Sequence, residues 1–216
     1  MMYCTVVCSW PSHAHLHGVK NSVNDLLDVL LASPSPIYHT QLICPLCRWL
    51  TGHSIPHKNG FHYISGTPCS IQDYINEGIK VASWCTNCGI SKVWKWSLNT
   101  FPLILVFGLN NQHIDWQLFI SYNNNVCTYL LRGIVYYSDQ HFTSRWIGLD
   151  GTVWFHDGIT TSFYLMCEGA LASVADLISL QSGVASVVVY GCAWWERRWT
   201  VVRESGRKDG LMVSVM

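Results

Sequence analysis

Residues 129 to 159, YLLRGIVYYSDQHFTSRWIGLDGTVWFHDGI, decide the fold, because apolar and polar residues alternate along three short runs in this stretch. A period of two is typical of β-strands. The first run places Leu130, Ile134 and Tyr136 on one face. Asp150-Gly151 predicts a two-residue type I′ hairpin, since both central residues of that turn need a positive φ. The stretch therefore predicts three antiparallel strands joined by tight turns.

Two ionisable side chains fall at the ends of these predicted strands. His141 begins the second strand and Asp157 ends the third. Antiparallel pairing brings the start of one strand beside the end of the next, so we expect the two side chains to lie side by side. A histidine held by a carboxylate supplies the base and the orienting acid of a nucleophilic triad. His141 and Asp157 are therefore the candidate catalytic residues, with Asp139 and Asp150 as nearby alternatives to Asp157.

Four cysteines form two Cys-x-x-Cys pairs, which predict a metal site. Cys44 and Cys47 make the first pair, and Cys85 and Cys88 make the second after a long insertion. Two such knuckles supply four thiolates, which suit a closed tetrahedral site for one structural zinc ion. The insertion is longer than a compact zinc ribbon needs, so we expect additional β-structure between the knuckles. The alternative is two unrelated pairs of free thiols.

Length, charge and cysteine usage limit the class of protein. A chain of 216 residues suits one domain with a sizeable core. Its formal net charge is zero, which makes the electrostatic case for nucleic acid poor. No run of about 18 apolar residues predicts a membrane span, and the N-terminus lacks the basic region of a signal peptide. Since paired cysteines of this kind point to a reducing compartment, we expect an intracellular protein, cytoplasmic or nuclear.

The remaining periodicities predict an α+β fold with mainly antiparallel strands. Apolar residues recur at helical spacing in residues 20–31 and 171–180, and Ser70 begins a short helical segment. Alternating or continuous apolar runs predict further strands at residues 90–98, 101–110, 113–122 and 185–192. The cysteines outside the pairs look like small buried apolar residues: Cys4, Cys8, Cys69, Cys127, Cys167 and Cys192.

The stretch around His141 resembles the C-terminal box of the ubiquitin-specific proteases, which are papain-like deubiquitinases. That box reads Y-x-L-x-(G/A)-(I/V), then a short loop, G-H-(Y/F)-T-(A/S), a tryptophan and an aspartate pair. Gln140 stands where the family has glycine, and Asp157-Gly158 stands where it has the aspartate pair. The matching residues are Tyr129, Leu131, Gly133, Ile134, His141, Phe142, Thr143, Ser144, Trp154 and Asp157.

The resemblance extends over about residues 20 to 190, because the second knuckle, a lysine-containing strand and the Phe101-Pro102 corner also follow the family's order. It implies a partial papain-like cysteine protease fold and ubiquitin or ubiquitin conjugates as partners. It also implies a division of the chain: an unplaced segment 1–18, a partial protease-like domain 19–191 and a tail 192–216. Within that domain a zinc-ribbon finger spans 40–100, and a palm with the His/Asp box spans 101–191.

The family's nucleophile box, Gly-Asn-Thr-Cys-(Y/F)-x-Asn, is absent from this sequence. Cys4 and Cys8 precede unrelated residues and lack the asparagine that helps to form an oxyanion hole. We therefore expect a truncated, inactive form of a thiol-dependent deubiquitinase that retains the His/Asp pair and the zinc ribbon. The alternatives are a non-catalytic zinc-ribbon module that binds ubiquitin or another protein, and a structural zinc-ribbon protein without a link to ubiquitin.

Overall fold

The computed structural model describes residues 31, 33, 35–48, 54–58, 61–64, 70–138, 141–162 and 164–194. The described residues form two β-sheets and the helix Ile71–Glu77. The predicted dominance of antiparallel strands is confirmed. The helix predicted at 20–31 lies outside the described residues except for Leu31, as do segment 1–18 and most of the tail. No helix among the described ranges is long and apolar enough to cross a membrane.

The smaller sheet contains four antiparallel strands in the order β2-β1-β5-β4. They are β1 (Tyr38–Ile43), β2 (Ile55–His57), β4 (Ile79–Trp84) and β5 (Ser91–Leu98). Helix α1 (Ile71–Glu77) leads into β4, and the Ser70 hydroxyl accepts a hydrogen bond from the Asp73 amide at 3.0 Å. Because this bond satisfies an amide that the helix itself leaves free, Ser70 is the N-cap that the sequence predicts.

The larger sheet has nine strands, and its main order is β11-β10-β9-β8-β13-β6-β3, with β7 on β8 and β12 on β13. All its pairs are antiparallel except β3 with β6. The strands are β3 (Phe61–Tyr63), β6 (Ile104–Gly108), β7 (Gln117–Tyr122), β8 (Asn125–Ser138), β9 (His141–Ile147), β10 (Thr152–Asp157), β11 (Met166–Ala170), β12 (Ser179–Leu180) and β13 (Gly183–Cys192).

A bulge in β8 changes which of its side chains are buried. Gly133 pairs with Val189 of β13 and Leu131 pairs with Tyr190, so the register shifts at Arg132. Before the bulge Cys127, Tyr129 and Leu131 are buried, and after it the even-numbered Ile134 and Tyr136 are buried. The prediction that Leu130 shares a face with Ile134 is therefore wrong, because one extra residue reverses the alternation.

The hairpin between β9 and β10 lies where Asp150-Gly151 predicts it, but its turn has a different geometry. The loop has four residues, Gly148 to Gly151, and the Gly151 amide donates to the Gly148 carbonyl at 3.0 Å. Only Gly151 has a positive φ, of 80°. The Asp150 carboxylate accepts from the Thr152 amide at 3.0 Å. The expected type I′ turn is therefore wrong, since that type needs two residues with positive φ.

The helix predicted at 171–180 is also wrong. The segment contains one 3-10 turn, Leu171–Ser173, and the short strand β12. Side chains of the larger sheet bind two carbonyls of this segment. Arg145 Nη1 donates to the Asp176 carbonyl at 2.7 Å, and the Tyr136 hydroxyl donates to the Leu177 carbonyl at 3.1 Å. Because side chains bind these carbonyls, the segment does not form the helix that the spacing of its apolar residues predicts.

An aromatic cluster around His62 joins the two sheets. The Tyr38 hydroxyl donates to the Phe61 carbonyl at 3.0 Å, so its oxygen accepts from His62 Nδ1 at 2.9 Å. His62 Nε2 then accepts from the Tyr74 hydroxyl. Burial, with a smaller contribution from His57, lowers the pKa of His62 to about 4. His62 is therefore neutral in the folded protein, and both its ring nitrogens are used by tyrosines of β1 and α1.

We predict that the protein loses stability as the pH falls from about 6.5 to about 4. The unfolded chain binds a proton on His62 near pH 6.5, whereas the folded chain does so only near pH 4, so protonation favours unfolding between these values. The shift corresponds to roughly 3 kcal/mol at most. Urea unfolding at a series of pH values measures it. The His62→Gln variant should show a shallower slope, and an equal slope in both proteins would contradict the prediction.

Candidate functional site

His141 and Asp157 are in direct contact at one end of the larger sheet. Asp157 pairs with Thr143 across β10 and β9, and His141 lies two residues before Thr143 on the same face. His141 Nε2 is 2.7 Å from Asp157 Oδ1. The His141 side chain is 35% exposed, whereas that of Asp157 is 5% exposed. The geometry therefore gives an accessible imidazole with a buried carboxylate behind it.

The turn after β10 holds the Asp157 carboxylate in place. Its Oδ1 atom accepts from the Ile159 amide at 2.8 Å, and its Oδ2 atom accepts from the Thr160 hydroxyl at 2.7 Å. Thr161 bonds back to the Asp157 main chain through both its amide and its hydroxyl. The bonds from Thr160 and Ile159, with a further one from His141, lower the pKa of Asp157 to about 2. The carboxylate is therefore ionised at neutral pH.

The ionised carboxylate fixes the tautomer of the imidazole. A carboxylate without its proton only accepts hydrogen bonds, so Nε2 of His141 carries the hydrogen and donates it to Asp157. In the neutral ring the other nitrogen, Nδ1, then has a free lone pair. Among the described residues no hydrogen-bond partner contacts Nδ1. The arrangement presents Nδ1 as the atom that can accept a proton from an incoming group.

The other candidate acids are not in this contact. Asp150 lies in the loop at the opposite end of β10, where its carboxylate accepts from Thr152. Asp139 lies outside the described residues. The neighbouring His156 contacts the Ser162 carbonyl at 3.0 Å through Nε2 and does not take part in the pair. Of the carboxylates in the described ranges, Asp157 is the hydrogen-bonded partner of His141.

The four paired cysteines converge at one end of the strands of the smaller sheet. Their sulfur atoms all lie within 4.8 Å of one another. The first knuckle follows β1 and the second joins β4 to β5, so both sit where β1 and β4 end. Each knuckle closes with the same bond: the Arg48 amide donates to the Cys44 carbonyl at 2.9 Å, and the Gly89 amide donates to the Cys85 carbonyl at 2.8 Å. Arg48 and Gly89 both have positive φ values, of 52° and 70°.

This sulfur cluster suits a metal ion that prefers thiolates. Four sulfurs at about 2.3 Å from one tetrahedral ion stand about 3.8 Å apart, which is within the 4.8 Å limit of the sulfur separations in this cluster. The Cys47 amide donates to Cys44 Sγ, and the Asn87 side chain donates to Cys47 Sγ, both at 3.4 Å. Backbone hydrogen bonds from Asn87 and Cys88 lower the pKa of Cys85 to about 7. These bonds favour the thiolate form of Cys85, which metal binding requires. The pKa of Cys88 is raised instead: the neighbouring cysteines and burial outweigh a backbone hydrogen bond from Ile90.

The unpaired cysteines divide into two kinds. Cys127 and Cys192 are buried, as predicted, and their sulfur atoms lie 3.1 Å apart between β8 and β13. Burial raises the pKa of Cys127 to about 12. Cys167 is exposed, so the prediction of a buried apolar residue is wrong there. Cys4, Cys8 and Cys69 lie outside the described residues. None of the seven described cysteines is a hydrogen-bond partner of His141.

Sequence reasoning missed the residues that support the pair. Thr160 and Thr161 follow Asp157 closely, and a threonine at these offsets from an aspartate is a known signal for a side-chain-stabilised turn. It also missed Arg145, which is 8% exposed and pairs with Glu168 of β11 at 2.7 Å. No local signal marks Arg145, because an alternating strand gives no indication of which polar residue faces the core.

Comparisons with known proteins give matches among solved structures alone. No family model matches the chain, and no curated protein matches it. It is similar to the SAGA DUB module Ubp8/Sgf11/Sus1/Sgf73 bound to monoubiquitin (11% identity, TM-score 0.47) and to that module bound to ubiquitin aldehyde (12%, TM-score 0.45). It is also similar to a yeast SAGA DUB module with an Sgf73 mutant (11%, TM-score 0.46). The matches cover 74% of this chain but only 41%, 42% and 41% of those chains.

We predict that Thr160→Val raises the pKa of Asp157 above its value of about 2, because the hydroxyl of Thr160 makes the largest contribution to lowering it. The carboxyl ¹³C shift followed by NMR during an acid titration measures the change. Ser162→Ala changes a hydroxyl in the same loop that makes no bond to the carboxylate, and it serves as the control. An unchanged titration in Thr160→Val would contradict the bonding described for Asp157.

Proposed function

We propose that this chain carries the acid–base half of a cysteine-type deubiquitinase site. The observation behind the proposal is the contact of 2.7 Å between His141 Nε2 and Asp157 Oδ1, with Nδ1 facing away from the carboxylate. This arrangement agrees with the resemblance of the surrounding sequence to the ubiquitin-specific proteases. The corresponding division of the chain, with a finger at 40–100 and a palm at 101–191, is part of the proposal.

In this proposal the reaction needs a cysteine thiol brought to His141 Nδ1 from outside the described residues. Nδ1 takes the thiol proton, and the thiolate attacks the carbonyl carbon of the C-terminal glycine of ubiquitin. His141 then returns the proton to the leaving amine, which leaves an acyl-thioester for water to hydrolyse. Asp157 holds the ring and stabilises its positive charge during the transfer.

The four-cysteine cluster is proposed as a structural zinc site. Cys44, Cys47, Cys85 and Cys88 supply four sulfur ligands and leave no open position for a substrate, as is typical of structural zinc sites. The ion would tie the end of β1 to the β4–β5 turn. Its role is therefore to hold the smaller sheet together, and it takes no part in the chemistry at His141.

A second candidate function is a non-catalytic module that binds ubiquitin or another protein. It is supported by apolar side chains that project around the cysteine cluster: Leu46 is 65% exposed and Trp84 is 66% exposed. Exposed apolar residues on a small rigid finger are suited to a protein partner. This candidate function requires neither a nucleophile nor the base at His141.

We predict that the purified chain does not hydrolyse a fluorogenic amide of the ubiquitin C-terminus above the rate of its His141→Ala variant. Without an activated thiol the base has no nucleophile to deprotonate, and losing one member of a triad costs on the order of 10⁴-fold or more in rate. Turnover that disappears both in His141→Ala and in one of Cys4→Ser, Cys8→Ser or Cys69→Ser would contradict the prediction and identify the nucleophile.

Binding to ubiquitin distinguishes both candidate functions from that of a structural protein without a link to ubiquitin. Titration of ¹⁵N-labelled ubiquitin with the chain should shift ubiquitin amide signals in both cases. Trp84→Ser should weaken the binding if the finger is the contact surface, and Phe119→Ser, which changes another exposed aromatic residue, on β7, should not. The absence of any shift at high protein concentration would reject ubiquitin as the partner.

We predict one zinc ion per chain, held by the four paired cysteines. Metal analysis of protein purified without chelators should give a stoichiometry near one, and Cys85→Ser should reduce it and lower the thermal midpoint, because a structural zinc site contributes directly to folding. Cys167→Ser removes an exposed cysteine outside the cluster and should leave the zinc content unchanged. Equal loss of zinc in both variants would reject the site.

A further inference from the structure

Two cysteines outside the four-cysteine cluster meet inside the larger sheet. Cys127 lies near the start of β8 and Cys192 is the last residue of β13, and they are 8% and 4% exposed. Their sulfur atoms are 3.1 Å apart. Non-bonded carbon atoms, which are smaller than sulfur, rest at about 3.5 to 4.0 Å from each other. The two thiols are therefore in closer contact than ordinary packing gives.

The register of the sheet places both thiols on one face. Cys192 lies opposite Tyr129 in the antiparallel pair of β13 and β8, and Cys127 is two residues before Tyr129. Residues two apart on a strand share a face. A disulfide bond is about 2.05 Å long, so the sulfurs have to approach by about 1 Å to form one. Cys192 is the residue best able to move, because β13 ends there.

A metal ion does not explain this contact. A thiolate site for a metal takes three or four protein ligands. Among the His, Cys, Asp and Glu side chains of the described ranges, the four paired cysteines form the one group of that size. Burial, together with the neighbouring Cys192, raises the pKa of Cys127 to about 12, whereas the pKa of Cys85 in the cluster is lowered to about 7. Cys127 therefore keeps its proton at neutral pH, unlike a metal ligand.

We propose that Cys127 and Cys192 form an oxidation site, at which hydrogen peroxide converts the two thiols into a disulfide between β8 and β13. One thiolate attacks a peroxide oxygen, the O–O bond breaks, and hydroxide leaves a sulfenic acid behind. The other sulfur attacks the sulfenic sulfur, so that the S–S bond forms and the S–O bond breaks. The hydroxyl group leaves with the second thiol proton as water. Two thiols and one peroxide thus give one disulfide and two water molecules.

Burial limits which oxidant reaches the sulfurs. Hydrogen peroxide is close to water in size, whereas a glutathione disulfide has to bring a large molecule in line with two buried residues. Because the thiolate is the nucleophile, the raised pKa of Cys127 slows its reaction. Once a sulfenic acid forms, the second sulfur is already in contact with it, so the disulfide forms before further oxidation. The site therefore responds to sustained peroxide and gives a reversible product.

The disulfide would join strands that already meet at one corner of the sheet. The Cys192 amide donates to the Leu103 carbonyl at 2.9 Å, and the Tyr129 hydroxyl donates to the Pro102 carbonyl at 2.7 Å. A covalent bond closes residues 127–192 into one loop and restricts the unfolded chain. The bond lies about 35 Å along β8 from the strand end that pairs with His141. The oxidation site is therefore independent of the proposed function.

Peptide mapping tests whether the two sulfurs become linked. The full chain, purified with zinc present, is treated with hydrogen peroxide, the remaining thiols are alkylated, and the chain is digested with trypsin. Arg132 and Arg145 lie between the two cysteines, so the disulfide links two peptides, and Cys167 shares the second peptide with Cys192. We expect the linked product in the wild type and equally in Cys167→Ser. Its yield should be at least about tenfold lower in Cys192→Ala, because sulfurs held in contact react fastest.

Thermal unfolding tests whether the bond forms in the native fold. The change in midpoint on oxidation should be roughly 10 °C more positive in the wild type than in Cys192→Ala, because a native loop of this size stabilises the protein. Dithiothreitol should remove the difference. Each protein is compared with its own reduced form, so any loss of stability from the substitution cancels. No linked peptide in the wild type, an undiminished yield in Cys192→Ala, or equal midpoint changes in the two proteins would each overturn the proposal.

Discussion

The pairing of β8 with three other strands is the constraint on which the larger sheet depends. β8 bonds to β7 along its first half, to β9 along its second half, and to β13 from Tyr129 to Tyr137. The bulge at Arg132 lies where one set of partners gives way to the other, and Arg132 Nη1 donates to the Gly148 carbonyl at 3.0 Å. One bulged strand thereby lets Tyr129 and Tyr136, seven residues apart, face the same core.

The features that sequence could predict are those that neighbouring residues determine. The strands around His141, the capped helix α1 and the position of the β9–β10 hairpin follow from alternation, a serine cap and a glycine turn. The contact between His141 and Asp157 also follows, because one antiparallel pairing of two adjacent strands is enough to bring their ends together. The knuckles likewise carry their own geometry, since each closes its turn with a bond four residues along the chain.

The features that sequence could not predict depend on partners far along the chain. Residues 171–180 have helical spacing, yet Arg145 and Tyr136 of the sheet bind their carbonyls and hold them in a different conformation. Arg145 can do this because Glu168 balances its charge from the next strand but one, β11. The bulge at Arg132 is hidden in the same way, because only the register with β13 shows that one residue is left over.

Local construction of the His141–Asp157 pair has a consequence for how such a site changes during evolution. The imidazole, its carboxylate and the turn that holds that carboxylate all lie in one continuous stretch between His141 and Thr161. The stretch is continuous in sequence, and among the described residues none from the smaller sheet is hydrogen-bonded to the pair. A change elsewhere in the chain would leave the imidazole in the same orientation. The geometry of the pair is therefore insensitive to changes outside this stretch.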